Sequence, residues 1–422
     1  MEHSIRQPSR SRIALTLGLG QALGRGSLAL VMLLLVRALP AADYGQLALT
    51  VALVAILVAI ADGGFSRLIV RDLARGVIEG GDIWRVLGVR AGSVLAVSML
   101  VAIVGLTSGR ATLAYVGLSC AFLIGEALSF GFESAAVGVE RPWRFVMAQA
   151  TGALALLGGI ATLKVLDAAT LEAVLATLAG ASFVRTLAHA VIWGVRRRAL
   201  TAWRGGRPAA ELLRAALPFL ALSVMSTMQY RLGVVVCYAI EGSAETAPYA
   251  AAVRVLDVAG VLGAIAFSAV APVFSRAHQA GDAEVWRLWS RYIRRMALIA
   301  LPVGAGLAIA GQPIAGLLFG ARYEESAGTD LSLLAPAAAL IVLLSVSSVV
   351  LYMDDRSGGL LRLTALNLVV NLALTIPLTV LGGHHGTAAA VSIGELVSFC
   401  GFAFVIVRRH RLGTGSQAPA RS

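Results

Sequence analysis

The chain has 422 residues, of which 58 % are hydrophobic and 14 % charged, and its mean hydropathy is +0.83. Soluble domains hold about 45–50 % apolar residues, so this composition excludes a water-soluble globular protein and points to the bilayer as solvent. The net charge of +12 does not indicate a nucleic-acid partner, because the cations lie in short segments between apolar runs and are not gathered on one face.

A helix needs about 20 apolar residues to cross a membrane. Twelve runs meet that requirement, near 13–36, 44–65, 86–106, 112–134, 145–163, 170–195, 215–239, 248–274, 296–317, 330–352, 363–381 and 386–407. The expected fold is therefore an all-α polytopic membrane protein. The first run is too long for a cleavable signal, carries Arg25 at its centre, and leads straight into a second span. Turn signals separate the runs, among them Leu39-Pro40, Glu140-Arg141-Pro142, Arg204-Gly205-Gly206, Asp354-Asp355-Arg356 and Gly382-Gly383. His384-His385 is read as a solvated turn and not as a metal site. The cysteines Cys120, Cys237 and Cys400 each fall inside an apolar run and are read as small apolar fillers.

The basic residues are 34 arginines and Lys164. Counted by segment, 26 lie at the N-terminus and in every second connection after it, 4 lie in the intervening connections, and 5 lie within spans. The positive-inside rule then places both termini in the cytoplasm.

The sequence also repeats at an offset of 200–209 residues. Tyr44 matches Tyr249, Phe65-Ser66-Arg67 matches Phe274-Ser275-Arg276, Gly81-Asp82 matches Gly281-Asp282, and Arg25 falls at the depth of Arg231. Each half holds six spans, so the halves keep one orientation. They are expected as lobes 1–195 and 215–407 about a pseudo-two-fold axis along the membrane normal, with a cavity between them. Residues 196–214 form a basic cytoplasmic linker, and 408–422 a cytoplasmic tail. No connection is long enough for a catalytic domain in water, so an enzyme with a metal or acidic pair on a large loop is not expected, and no cofactor is implied.

Intramembrane charge costs about 2.5–3.5 kcal/mol per residue on insertion scales, so each such residue is expected to face a cavity or a partner. Arg25, Arg185, Arg231 and Arg254 are the candidates for a phosphate-binding cavity, because a guanidinium grips phosphate oxygens in a bidentate fork. The competing expectation is internal pairing through Asp257, one turn from Arg254. Gln21, Gln229, Asn367 and Asn371 are candidate cavity residues; Gln149 allows the same reading. Glu126, Glu395, Asp257 and Asp62 are the ion-coupling candidates, and Glu133 is set aside as lying near the inner surface. Arg90 is expected to snorkel. Gly20 and Gly24 form a small-xxx-small pair suited to close helix packing.

Several short pieces, in order, carry a family resemblance. They are Gly24-Arg25-Gly26, Arg37-Ala38-Leu39-Pro40 running into Asp43-Tyr44-Gly45, and Asp62-Gly63-Gly64-Phe65 before Arg71-Asp72-Leu73-Ala74-Arg75. Tyr249-Ala250-Ala251-Ala252 with Arg254, Ala271-Pro272-Val273-Phe274-Ser275-Arg276, and Leu317-Leu318-Phe319-Gly320 with Tyr323 complete the set. Together they resemble the oligosaccharide flippases of bacterial polysaccharide biosynthesis, within the multidrug/oligosaccharidyl-lipid/polysaccharide exporter superfamily. The resemblance implies a non-enzymatic inner-membrane protein that moves an undecaprenyl-diphosphate-linked oligosaccharide outward by alternating access. It also implies membrane lipid as a partner, with a polysaccharide polymerase or export machinery as a further one. Arg231 departs from the family pattern, in which an acidic or uncharged residue often follows the glutamine. The runner-up is an ion-coupled secondary transporter or drug exporter.

Overall fold

The computed structural model describes residues 10–74, 80–107, 112–138, 142–193, 209–352 and 357–415. The expected linker falls mostly outside this set, as do the last tail residues and the turns at Glu140-Arg141, Arg204–Gly206 and Asp354–Arg356. Among the described residues the chain is helical, without strands. Its helices are α1 (Arg10–Ala38), α2 (Ala41–Ala61), α3 (Phe65–Ala74), α4 (Gly80–Thr107), α5 (Leu113–Gly138), α6 (Pro142–Val165) and α7 (Leu171–Trp193). They continue as α8 (Ala209–Glu241), α9 (Ser243–Ala280), α10 (Asp282–Ile309), α11 (Gly311–Phe319), α12 (Ser326–Tyr352) and α13 (Ser357–Gly415). Eleven of these are long and apolar enough to span a membrane.

The last helix accounts for two of the expected runs. It breaks at Gly382 (φ −132°, ψ 15°) and Gly383 (φ 58°, ψ −143°). Its arms then fold back on each other: Thr379 Oγ1 lies 2.8 Å from Thr387 Oγ1, Gly394 lies against Asn371, and Gly401 against Leu363. The positive φ at Gly383 is the left-handed region that a residue without Cβ enters at no cost.

Two sequence expectations need correction. The ninth run, expected at 296–317, is not one span. The helix starts at Asp282, ends at Ile309, and is interrupted at Ala310 (φ −105°, ψ 22°) before the short α11. Helices also run past the apolar stretches at Glu241, Ala280 and elsewhere, because a helix does not end where the hydrocarbon ends. The basic segment after the second span is not all connection, since it contains α3. Phe65, Leu68 and Ile69 of α3 are buried against Leu212 and Ala216 of α8, an i, i+3, i+4 stripe on a helix too short to register as a span.

The halves meet through α1 on α9, α2 on α8, and α2 on α9. The sequence repeat pairs α1 with α8 and α2 with α9, so the first two contacts exchange under it. Contacts within the halves correspond too: α1 on α6 with α8 on α13, α4 on α5 with α10 on α12, and α5 on α7 with α12 on α13. The largest core crosses the boundary between halves. Met32, Leu35, Tyr44 and Leu47 from the first half share it with Tyr249–Ala252 and Leu331 from the second. Small residues allow this closeness: a Cβ on Gly45 would lie 1.8 Å from the Ser243 carbonyl oxygen.

Candidate functional site

In the first half, α1, α2, α5, α6 and α7 enclose a cavity of about 150 Å³. Helical spacing delivers its polar lining. Gln21 and Arg25 are four residues apart on α1; Glu126 and Glu133 lie seven residues, two turns, apart on α5; Gln149 and Gly152 are three apart on α6. Glycines make the room. A Cβ on Gly24 would meet the Gln149 amide oxygen at 2.6 Å, and one on Gly152 would meet Arg185 Cβ at 2.7 Å. Gly20 shows the same closeness, with the Phe145 ring 2.3 Å from a Cβ built there, so the small-xxx-small face of α1 lies on α6.

The cavity charges are arranged unequally. Arg185 Nη2 pairs with Glu126 Oε1 at 2.5 Å, and its Nε donates to Ser129 Oγ at 2.7 Å. Glu133 accepts from Gln21 Nε2 at 3.1 Å and from Gln149 Nε2 at 3.3 Å. Arg25 lines the same space, and among the described residues no hydrogen bond or ion pair occupies it. Its guanidinium is thus held in neither, and the cavity carboxylate its charge acts on is Glu133. Glu133, expected near the inner surface, is a cavity wall, and its two amide donors come from helices that no local reading of the sequence brings together.

The second half carries a related polar patch. Gln229 Nε2 donates to Glu395 Oε1 at 3.4 Å and Ser398 Oγ at 3.5 Å. Gln21 lies four residues before Arg25 and Gln229 two before Arg231, so the glutamines are not at matching repeat positions, yet each half presents a glutamine from its first helix to a glutamate. Glu395, Asn367 and Asn371 are all buried. Among the described residues, Glu395 Oε2, Asn367 Oδ1 and Asn371 Nδ2 have no partner. Buried polar atoms without partners are uncommon and call for water or ligand.

The structure divides the four expected arginines. Arg25 and Arg185 line the first-half cavity. Arg254 instead pairs with Asp257 at 2.8 Å, and Arg231 with the same carboxylate at 3.2 Å. This is the internal pairing weighed as the competing expectation. The cluster keeps one net positive charge, and Arg254 is buried.

Arg90 overturns its expectation. It does not snorkel; it is 1 % exposed. It pairs with Asp62 at 2.7 Å, donates to Ser66 Oγ at 3.0 Å and to the Ala127 carbonyl at 2.9 Å, and stacks over Phe130. A buried carboxylate just past the end of α2 draws the guanidinium inward, since an unpaired Asp62 there is costlier than a straightened Arg90. Of the coupling candidates, Asp62, Glu126 and Asp257 are thus arginine-paired, and Glu395 is not.

His384 and His385 are not a free solvated turn either. Asp330 of α12, fully buried, holds His384 Nδ1 at 2.8 Å and His385 Nδ1 at 2.7 Å. Adjacent histidines reveal nothing of a partner 54 residues away.

Comparisons with known proteins complete the picture. A family model described as polysaccharide biosynthesis protein matches residues 34–328. A comparison with curated proteins finds no match. Among solved structures, the chain is similar to an inward-facing multidrug resistance MATE family transporter of the MOP superfamily. That alignment has TM-score 0.70 and 17 % identity, covering 99 % of this chain and 98 % of that one. Similarity to the lipid II flippase MurJ in an inward closed conformation has TM-score 0.68 and 11 % identity, covering 94 % and 89 %. A MOP superfamily transporter from Pyrococcus furiosus aligns at TM-score 0.65 and 16 % identity, covering 95 % and 96 %. At these identities the neighbours establish the fold. The sequence match, spanning residues 34–328, establishes more: the chain is a member of the polysaccharide biosynthesis protein family with a MATE- and MurJ-like membrane fold.

Proposed function

We propose that this protein flips an undecaprenyl-diphosphate-linked oligosaccharide across the cell inner membrane, with both termini cytoplasmic. The sugar and diphosphate would pass between two six-helix lobes, 1–195 and 215–407, joined by the linker 196–214, while the polyprenyl tail stays in lipid. The family and the MurJ-like fold support a lipid-linked substrate. The observation that carries the reading is Arg25: a mid-span guanidinium lining a polar cavity and, among the described residues, in no ion pair, with Glu133 the cavity carboxylate its charge acts on. Holding such a charge in the membrane is costly, and a diphosphate repays that cost through bidentate hydrogen bonds. Arg185, Gln21 and the Glu133 pair would shape the path beside it. In the other lobe, Gln229, Asn367 and Asn371 would bind sugar hydroxyls, and the net positive Arg231–Asp257–Arg254 cluster would add attraction for an anion. Glu395, without a cationic partner, is the proposed coupling group.

The test is a gene replacement. Arg25→Ala should abolish surface polysaccharide and leave the complete sugar repeat on its polyprenyl carrier at the cytoplasmic face, with protein level in the membrane unchanged. Arg25→Lys should restore activity only in part, because an ammonium cannot fork. Normal polysaccharide in Arg25→Ala cells would remove this residue from the path. Export of small solutes is the second reading, favoured by the carboxylates Glu126 and Glu133 in the first-half cavity. It predicts drug sensitivity, and no lipid-linked intermediates, when the gene is deleted.

A further inference from the structure

We propose that Asp330, His384 and His385 form a binding site for a divalent transition-metal ion such as Zn²⁺, at the end of the molecule where α13 turns. Each of the three residues offers a donor atom, and these atoms lie within 4.8 Å of one another. The contacts His384 Nδ1–Asp330 Oδ2 and His385 Nδ1–Asp330 Oδ1 measure 2.8 and 2.7 Å. Ligands on a tetrahedral zinc at ~2.0–2.2 Å stand about 3.3 Å apart. Widening these contacts by about half an ångström therefore admits an ion in place of the two shared protons. Imidazole nitrogen with carboxylate oxygen is a donor set for zinc, copper or nickel, and a poor one for magnesium or calcium.

The surrounding charge independently asks for a cation. Asp330 is 0 % exposed, and among the described residues no lysine or arginine pairs with it. The charged groups acting on His384 are all carboxylates: Asp330, Glu241 and Glu245. Glu241 reaches the turn itself, its carboxylate 3.4 Å from a Cβ built on Gly383. Of these three acidic groups only Asp330 is buried, Glu241 being half-buried and Glu245 exposed, and a buried carboxylate costs stability unless a proton or a metal offsets it. Access is open on one side, since the His385 side chain is 42 % exposed and that of His384 only 13 %. Backbone geometry fixes the rest. The break at Gly382–Gly383 starts the second arm of α13 so that two consecutive side chains straddle one carboxylate. A bound ion would tie α12 to the α13 turn, next to the junction of α8 and α9.

The experiment uses the full chain, purified without an affinity tag in lipid nanodiscs and dialysed against Zn²⁺, with bound metal counted by elemental analysis. Wild type should bind one more Zn²⁺ per chain than His384→Ala/His385→Ala, and His385→Ala alone should bind at least tenfold more weakly. Co²⁺ should give wild type the visible absorption of a low-coordinate site, bleached by added Zn²⁺. Equal Zn²⁺ binding by wild type and His385→Ala would overturn the site. So would a wild type that shows no Co²⁺ band, leaving only a hydrogen-bonded clasp. If the double variant does not fold, the exposed single variant and the wild-type spectrum decide.

Discussion

Arg25 and Arg90 show how far one residue can be read from sequence. Both are arginines within apolar runs, and the cost of intramembrane charge flags both. Depth along the span separates an open Arg25 from a buried Arg90 only if the partner is known. Asp62 lies 28 positions before Arg90, just past the end of another helix, so no local spacing reveals the pair. The same blindness hid the Asp330 clasp on His384 and His385, and the two amides that hold Glu133. Where partners are near in sequence, as with Arg254 and Asp257, the pairing was legible. The Asp62–Arg90 pair also yields a stability prediction. Removing one partner of a buried ion pair strands the other, at about 3–5 kcal/mol, whereas removing both relieves that cost. Asp62→Ala and Arg90→Ala should each lower the thermal unfolding temperature in detergent sharply, and the double variant should lose far less than their sum. Additive losses would mean the pair does not couple, against the 2.7 Å contact.

Helices were legible where apolar length defines them and illegible where amphipathicity does. Most expected runs lie in one helix; the exceptions are 44–65, which overruns α2 at Asp62, and 296–317, which breaks at Ala310. Gly382-Gly383 correctly marked the α13 break, because glycine enters the left-handed region at Gly383 cheaply. The short helices α3 and α11 were missed, since ten and nine residues carry too weak a periodic signal beside spans of twenty. Packing between helices is set by positions where no Cβ fits, and these differ in kind. At Gly45 a Cβ meets backbone oxygen of Ser243 at 1.8 Å, which cannot rotate away; at Gly26 it meets nothing within 4 Å. Gly45→Ala should therefore push α2 from the start of α9 and destabilise the protein by about 1–3 kcal/mol, the usual cost of overpacking. Gly26→Ala, beside the open Arg25, should unfold at the wild-type temperature or slightly above, as alanine favours helix by roughly 0.8–1.0 kcal/mol. A differential scanning comparison of the two decides, and equal melting temperatures would contradict the close approach at Gly45.

At the scale of the whole molecule, the contacts between halves fall at two ends. At the end with few basic residues, Arg37 Nε donates to the Leu318 carbonyl at 3.0 Å and its Nη2 bonds the Leu317 carbonyl. Both carbonyls belong to the last turn of α11, where a cation meets the negative end of the helix dipole. Arg322 answers in the opposite sense, donating to the Leu39 carbonyl at 3.3 Å while its guanidinium stacks on Tyr323. Two arginines from opposite halves thus clasp each other's backbone. At the other end the closure is apolar, α3 on α8, with Gly64 against the Ala216 carbonyl. A transporter that alternates access must open one end while holding the other, and these closures differ in what opens them. The arginine clasp rests on a few directional bonds, whereas the apolar one rests on buried area. Arg37→Ala/Arg322→Ala should therefore favour opening at the clasp end. With Cys120, Cys237 and Cys400 replaced and a single Leu39→Cys introduced, labelling by a membrane-impermeant maleimide added outside intact spheroplasts should rise several-fold in the double variant. Such labelling also reports sidedness, because positive-inside counting assigns this end to the periplasm. Labelling unchanged by the double substitution would mean that α1 and α9 hold this end shut by packing alone, and that the clasp does not gate it.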